Sequence, residues 1–478
     1  MSVFAPATAT TLDPNRDPAH HYRSRSFWLE QLDEALTPRP PLSGDTQVDV
    51  AILGAGFSGL WTAYYLQARN PGLNIAIFER DIAGFGASGR NGGWCSSSFP
   101  LTMAEMQRRF GEAAARATYQ AMLPTVDSIG QVAAHEGLAI DFVKGGMLLV
   151  AREPHQRAVL EHKQQVYQKL GFPEHFRWLS PDELAERVRI ESALGALYSP
   201  HCAHLQPAKL ARGLAAVLER RGVPIYEQTP VERIRPGRPA SFVTPYGEVR
   251  ATTLVLAGEA YLAHMAPVKR QILPLYSLIV LTKPLPESTW QQIGWQAREC
   301  IASSGLILDY LARTADGRLL FGGHGAPYHF GSSISERHEQ NQALHETLRQ
   351  AALQWFPSLR AEDFSHSWGG VFGVSRDWMP TVYYDRDSGI ASARGFGGQG
   401  VSTSNLAGRT LADLISGQDS ELTALPFVNH RSGSWEPEPL RYAGVQYVQR
   451  SFHAIEAKAQ RSGRPPSGWS LAELLGRH

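Results

Sequence analysis

Three glycines with the spacing GxGxxG, Gly54, Gly56 and Gly59, sit in the stretch "DVAILGAGFSGLWTAYYL", and an acid, Glu79, follows twenty residues after the last of them. Glycines at those places permit a tight turn, a close backbone approach to a pyrophosphate and close packing of a helix on a strand. The positive end of the helix that follows favours the same anion. A carboxylate at the position of Glu79 accepts hydrogen bonds from ribose hydroxyls, and disfavours a 2′-phosphate there. The chemistry implied is the holding of a dinucleotide, and by this pattern alone NAD and FAD are served equally.

A second glycine-rich turn, "GFGASGRNGGW", runs from Gly84 to Trp94. It follows Glu79 too soon for another nucleotide-binding unit to have formed. A backbone carrying Gly84, Gly86, Gly89, Gly92 and Gly93 can lie against a flat ligand where a side chain would collide. The economical reading is one extended cofactor touched by both turns, and an isoalloxazine offers a larger plane than a nicotinamide.

These turns need elements to position them. An apolar run, a glycine turn, a helical stretch and a second apolar run occupy residues 48–79, a strand–helix–strand unit that implies a parallel sheet. Residues 101–191 read mainly as helices, with "SPDEL" at Ser180 a well-formed helix start and "MLLVA" a strand. Helix and strand then alternate again, and the chain carries a late strand, glycine turn and helix in "GIASARGFGGQGVSTSNLAGRTLADLISG". Alternation of the two kinds of segment predicts an α/β protein with α+β character, built of two interleaved units rather than consecutive ones. The expected division is an arm over 1–47, a dinucleotide unit over 48–100, 190–270 and 356–430, a substrate unit over 101–189 and 271–355, and a helical tail over 431–478 whose apolar face returns to the body.

Composition narrows the partners. A chain of 478 residues, 43% hydrophobic, can bury a large core, and its net charge of +1 gives no general attraction to nucleic acid or an anionic membrane. Three widely spaced cysteines, Cys95, Cys202 and Cys300, support neither a disulfide framework nor a structural metal site. The first residues lack an apolar signal core and no apolar run reaches membrane-spanning length, so the expectation is a cytoplasmic protein without an integral membrane segment.

Four stretches in order, "DVAILGAGFSGLWTAYYL", "IAIFERDIAGFGASGRNGG", "WGGVFGVSRDWMPTV" and "GFGGQGVSTSNLAGRTLADLISG", resemble the FAD-dependent amine and amino acid oxidoreductases of the glycine oxidase, sarcosine oxidase and D-amino acid oxidase type. The arm "YRSRSFWLEQL" and the tail "WEPEPLRYAG" resemble the aminophosphonate oxidoreductase subgroup, with gamma-glutamylputrescine oxidoreductase a further relative. The resemblance implies a Rossmann-like FAD-binding domain and a second domain on a large mixed sheet that covers the flavin. It places Gly54, Ala55, Gly56, Phe57, Ser58 and Gly59 around the pyrophosphate and Glu79 and Arg80 beside the ribose. It sets Val231 against the adenine, and Gly86, Ala87, Ser88, Gly89, Arg90, Asn91, Gly92 and Gly93 along the cofactor toward its ring. Gly397, Gly398, Gln399, Gly400 and Val401 would face the pyrimidine edge, with a helix starting at Ser402 or Thr403 stabilising charge on reduced flavin. The segment in which sarcosine oxidases carry a flavin-tethering cysteine has none here, so the expected FAD is non-covalent, and the lysine that follows their last glycine turn is replaced by Val401 and Ser402.

On the substrate side the resemblance directs attention to Tyr276, Tyr310 and His324, and to Arg376 and Arg313 as forks for an anionic group. The implied reaction is oxidation of a C–N bond in a small primary or secondary amine, by hydride transfer to flavin, to an imine that water hydrolyses. Dioxygen, giving hydrogen peroxide, or another acceptor would take the electrons. Two alternatives stay open: an NAD-dependent dehydrogenase, and a flavin-binding module of an RNA-modifying or regulatory system.

Overall fold

The computed structural model describes residues 18–476, so the first seventeen residues of the expected arm and the last two of the tail lie outside the described residues. Strand Thr46–Leu53 is the centre of the first sheet, with Gly247–Leu256 parallel on one side and Ile75–Phe78 parallel on the other. Ile390–Arg394 and Ile225–Tyr226 extend the sheet in parallel, and Thr381–Asp385 closes one edge antiparallel. Helix Phe57–Arg69 buries Leu60, Trp61, Ala63 and Leu66 beside it. Helix Gly400–Ser416 crosses that helix at Gly408, where an added Cβ would lie 2.7 Å from the Cβ of Trp61. Gly417 ends it in the left-handed conformation, at φ 69°.

The second sheet has eight strands in the order Phe364–Val374, Leu273–Thr282, Leu319–Gly323, Asp309–Arg313, Cys300–Ser303, Met147–Ala151, Gly195–Ser199, Arg177–Leu179. It is mixed, because Cys300–Ser303 and Met147–Ala151 run parallel while the other neighbours are antiparallel. Helix Gln342–Trp355 packs on it through Leu348, Ala352 and Trp355. The anticipated cap is present at Ser180, whose hydroxyl accepts from Glu183 N while the Glu183 carboxylate accepts from Ser180 N. Two strands depart from the expected division: Gly195–Ser199 and Phe364–Val374 fall in stretches assigned to the dinucleotide unit, yet both pair in the second sheet. Local pattern identifies a strand, but only pairing tells which sheet it joins.

The described part of the arm packs into the body. Tyr22 from helix Pro18–Arg23 and Phe27, Trp28 and Leu29 from helix Phe27–Glu30 pack together with Leu32, Leu36, Ile82, Phe85 and Trp368. Its polar atoms serve the second glycine turn. Ser26 Oγ donates to Gly89 O at 2.7 Å, Trp28 Nε1 to Asn91 O at 2.7 Å, and Trp368 Nε1 from the second sheet to Arg90 O at 2.9 Å. Three consecutive carbonyls are therefore satisfied by side chains rather than by a ladder.

Leaving one buried acceptor without its donor costs about 1–3 kcal/mol. Trp28→Phe, which removes the donor to Asn91 O and keeps an aromatic ring, is expected to lower the unfolding free energy by about that amount. Urea denaturation checks this as a lower midpoint with an unchanged slope.

Candidate active site

The carboxyl ends of the parallel strands open into a cavity of about 1860 Å³, far above the few hundred to a thousand Å³ usual for a small-ligand pocket. It extends from the first glycine turn, past the second and the last, to the face of the second sheet. Gly54, Gly56, Phe57, Ser58, Glu79, Arg80 and Val231 line one end. Gly86, Ala87, Ser88, Arg90, Asn91 and Gly92 line the middle, and Gly397, Gly398, Gln399, Gly400 and Val401 the wall opposite.

The first turn is built as its spacing predicts. Gly54 has φ 103°, and a Cβ there would lie 2.8 Å from Ala257 O. Gly59 lies behind the cavity, where a Cβ would meet Gly54 O at 2.0 Å, so its task is the close approach of helix to strand. Ala55 also stays off the lining and donates its N–H to Glu79 Oε2 at 2.8 Å. Glu79 Oε1 accepts from Asp81 N at 2.9 Å. Burial, helped by the Asp81 charge, raises the Glu79 carboxyl to about 7.

The second turn is used differently from the expectation that all its glycines follow a ligand. Gly89 is pressed against Gly84 O and Gly93 against Leu205 O, where added Cβ atoms would each come within 2.3 Å, and neither lines the cavity. The Arg90 guanidinium is not free for a diphosphate. It pairs with Glu339 at 2.5 Å, donates through Nε to Phe85 O and lies 4.3 Å from the centre of the Phe85 ring. The Asn91 side chain closes its own loop, donating to Ala87 O and accepting from Gly93 N. Trp94 lines the cavity, whereas Cys95 is fully buried.

At the last turn the helix begins at Gly400, earlier than the expected Ser402 or Thr403, and Gln399 is its uncapped first flank. An amide end without a side-chain cap thus faces the cavity, and so does the start of Phe57–Arg69, where Gly56 has no side chain to cap it and the Phe57 N–H donates to Ser88 Oγ at 2.8 Å from the second turn. The cavity fits an extended dinucleotide: bare turns at its walls, a ribose-ready carboxylate and two helix N-termini.

Of the substrate-side candidates, Tyr310, His324 and Arg376 line the cavity. The Tyr310 ring is held between Gly92 and Gly322, where added Cβ atoms would come within 2.7 and 2.3 Å of it, and its hydroxyl is 2.9 Å from Ser277 Oγ. Burial raises its phenol to about 12. His324 Nδ1 lies 3.2 Å from Asp309 Oδ1, and that bond raises the imidazole pKa against the effect of burial. Arg376 pairs with Glu436 at 3.1 Å.

Two candidates are corrected. Tyr276 is fully buried off the cavity, and its hydroxyl accepts from Ser335 N at 2.9 Å; its neighbours Leu275 and Ser277 line the cavity while its own side chain packs with Ala260 and Val371. Arg313 stands at the far end of its strand from the cavity, 4.0 Å from the centre of the Trp290 ring, with its guanidinium donating to Trp295 O.

Glu259 was not anticipated. It follows the carboxyl end of Gly247–Leu256, the neighbour of the central strand, which is where α/β sheets place ligand contacts. Its carboxylate accepts from Gly395 N at 2.8 Å and Phe396 N at 3.3 Å, just before the last turn, and from Gly373 N at 3.2 Å on the second sheet. Burial raises this carboxyl also to about 7, against the pull of those three N–H groups.

Each carboxylate makes a prediction. Ribose hydroxyls donate best to ionised Glu79, so binding of FAD, the cofactor implied by the resemblance, lowers its pKa and affinity rises with pH up to about 7. Titrating apoprotein with FAD should show this slope in the wild type and lose it in Glu79→Gln, with affinity about 10-fold or more lower. Glu259→Ala deprives three backbone donors of their acceptor and is expected to cost at least about 2 kcal/mol in unfolding free energy, with Glu259→Gln intermediate.

Comparison with known proteins agrees with this geometry. The profile described as FAD dependent oxidoreductase (DAO) matches residues 49–414. The chain is 28% identical over 412 residues to a probable oxidoreductase, OrdL, of Haemophilus influenzae, covering 85% of this chain and 91% of that one. It is 28% identical over 395 residues to gamma-glutamylputrescine oxidoreductase of Escherichia coli, covering 82% and 89%. Glycine oxidase from Geobacillus kaustophilus shares the fold with a TM-score of 0.68 at 22% identity, over 81% of this chain and all of that one. With the family profile spanning most of its length, the chain belongs to the FAD dependent oxidoreductase family, and FAD is its cofactor.

Proposed function

We propose that this flavoenzyme oxidises a C–N bond of a small primary or secondary amine to an imine, which water hydrolyses to an aldehyde or keto product, with dioxygen as the acceptor that forms hydrogen peroxide. The observation that carries the reading is the single cavity that leads from the dinucleotide turns to Tyr310, His324 and Asp309 on the second sheet. Relatives named as gamma-glutamylputrescine oxidoreductase, glycine oxidase and sarcosine oxidase subunit beta support it.

When bound, FAD supplies a two-electron acceptor for hydride from the carbon that bears nitrogen. The residues of the chain prepare the amine for that transfer. Leu273, Leu275, Ile279, Leu149 and Phe372 give the substrate side an apolar wall, which excludes water and disfavours the ammonium form. The Tyr310 phenol, at about 12, stays protonated near neutral pH and orients substrate by a hydrogen bond rather than acting as a base. His324, oriented by Asp309, is the group placed to hold a proton.

Holoprotein mixed anaerobically with aminoalkylphosphonates, polyamines, N-methyl amino acids and D-amino acids tests the proposal. At least one class should bleach the visible flavin band, and air should restore it with one peroxide formed per turnover. If no amine bleaches the flavin, the proposal fails; bleaching that only an artificial acceptor reverses would make the enzyme a dehydrogenase.

A further inference from the structure

The outer wall of the cavity is formed by two helices that face one another. Pro154–Lys169 presents Val159, Lys163 and Val166, and Leu440–Ser462 presents Val445, Val448 and Phe452. Both sets recur at steps of three and four, so each occupies one helix face. The second helix lies beyond residue 414, outside the span of the family match. The pair is tied at one end by Glu456, whose Oε1 is 3.0 Å from His155 Nε2 and whose Oε2 accepts from Leu306 N at 2.9 Å. Gln460 adds a bond to Glu153 at 2.9 Å.

Most charges at this end of the cavity are answered within the protein. Arg376 pairs with Glu436 at 3.1 Å, Arg441 with Glu438 at 3.2 Å, and Asp309 and Glu456 each have a histidine. Lys163 has no carboxylate and no hydrogen-bond acceptor among the described residues. Its ammonium has the rings of Tyr167 and Phe176 for neighbours, each centred 5.9 Å away. Burial lowers its pKa with no opposing charge beside it. The side chain is half-buried on the cavity wall, and a cation there with no carboxylate beside it is open to an anion that enters the cavity.

We propose that Lys163 binds a carboxylate or similar oxyanion carried at the end of the substrate remote from the reacting amine. The inference rests on the amine-oxidising reading above and assigns the substrate two ends: an amine at the inner wall with Tyr310, and an oxyanion at the outer wall, joined by a stretch that suits Val159, Val448 and Phe452. Arg376 and Arg313, the arginines expected for this task, are already engaged by Glu436 and by Trp290 with Trp295. Lysine acts on an oxyanion as a point charge, which tolerates both planar and tetrahedral groups.

The test compares ω-aminocarboxylates and ω-aminophosphonates with unbranched alkylamines of the same length, using holoenzyme of the wild type, Lys163→Met and Lys163→Arg. A charge-assisted contact is worth about 1.5–3 kcal/mol, so Lys163→Met should raise KM for the anion-bearing amines about 10- to 100-fold. Alkylamines should keep their KM within about twofold, and Lys163→Arg should restore most of the loss. Equal effects of Lys163→Met on both series, or none on either, would overturn the assignment while leaving amine oxidation intact. A second measurement needs no turnover: binding of unreactive alkyl carboxylates to holoenzyme, followed by calorimetry. Tighter binding to the wild type than to Lys163→Met supports the site even if no amine reacts, and equal or undetectable binding to the two refutes it.

Discussion

A long cavity walled by bare backbone stays open only if its peptide groups are held from behind, and the second glycine turn shows how. Its carbonyls at Gly89, Arg90 and Asn91 are taken by Ser26, Trp368 and Trp28, which come from the arm and the second sheet. The Arg90 side chain, paired with Glu339, fastens the same turn to the segment ahead of helix Gln342–Trp355. The glycines then admit what the fastening requires: Gly92 accepts the Tyr310 ring and Gly93 the Leu205 carbonyl. A turn built this way presents Gly86, Ala87 and Ser88 to the cavity in a geometry that Ser26, Trp28, Trp368 and Glu339 help to fix from outside its lining.

The two sheets need a joint as well as walls. Glu259 supplies it, one carboxylate bonded to Gly373 on the second sheet and to Gly395 and Phe396 ahead of the last turn. Because those donors are backbone groups, the joint sets main-chain positions directly, and the distance between substrate face and final turn follows from it. The cost is a carboxyl held out of water. Glu79 and Glu259 both titrate near 7 in the folded chain, well above the usual carboxylate range. An acid whose folded pKa is raised costs stability as pH climbs from its unfolded value toward the folded one, so the protein without cofactor weakens over that interval.

Legibility in the sequence followed the range of the physics involved. Local rules worked where a short stretch carries its own constraint: the GxGxxG turn with Glu79 and the capping box at Ser180. They also carried the fold class, because alternating strand and helix periods imply a parallel sheet interleaved with other elements. They failed where the decisive neighbour is distant. Nothing near Arg90 announces Glu339, Tyr276 and Ser277 differ by one residue and by which face of the sheet they occupy, and Gly195–Ser199 chooses its sheet only by pairing with Met147–Ala151 and Arg177–Leu179. Glu259 was readable in principle, since it follows the end of a strand beside the centre of the sheet, but "LAGEAY" carries no spacing rule that marks it.

The inner and outer walls of the cavity are made of different material, and this decides where selectivity can reside. The inner wall is turns and strand ends, where substitution can strike backbone: at Gly54 or Gly323 an added Cβ would sit within 2.8 Å of a carbonyl oxygen. The outer wall is side chains on two helix faces, where Val159, Lys163, Val448 or Phe452 can change without moving a peptide. The tie through Glu456, His155 and Leu306 keeps those faces in register while their other positions vary. On the function proposed above, the backbone wall serves the cofactor and the helical wall the choice of amine. The tail helix, although it lies past the stretch shared with the family, completes the site rather than following it.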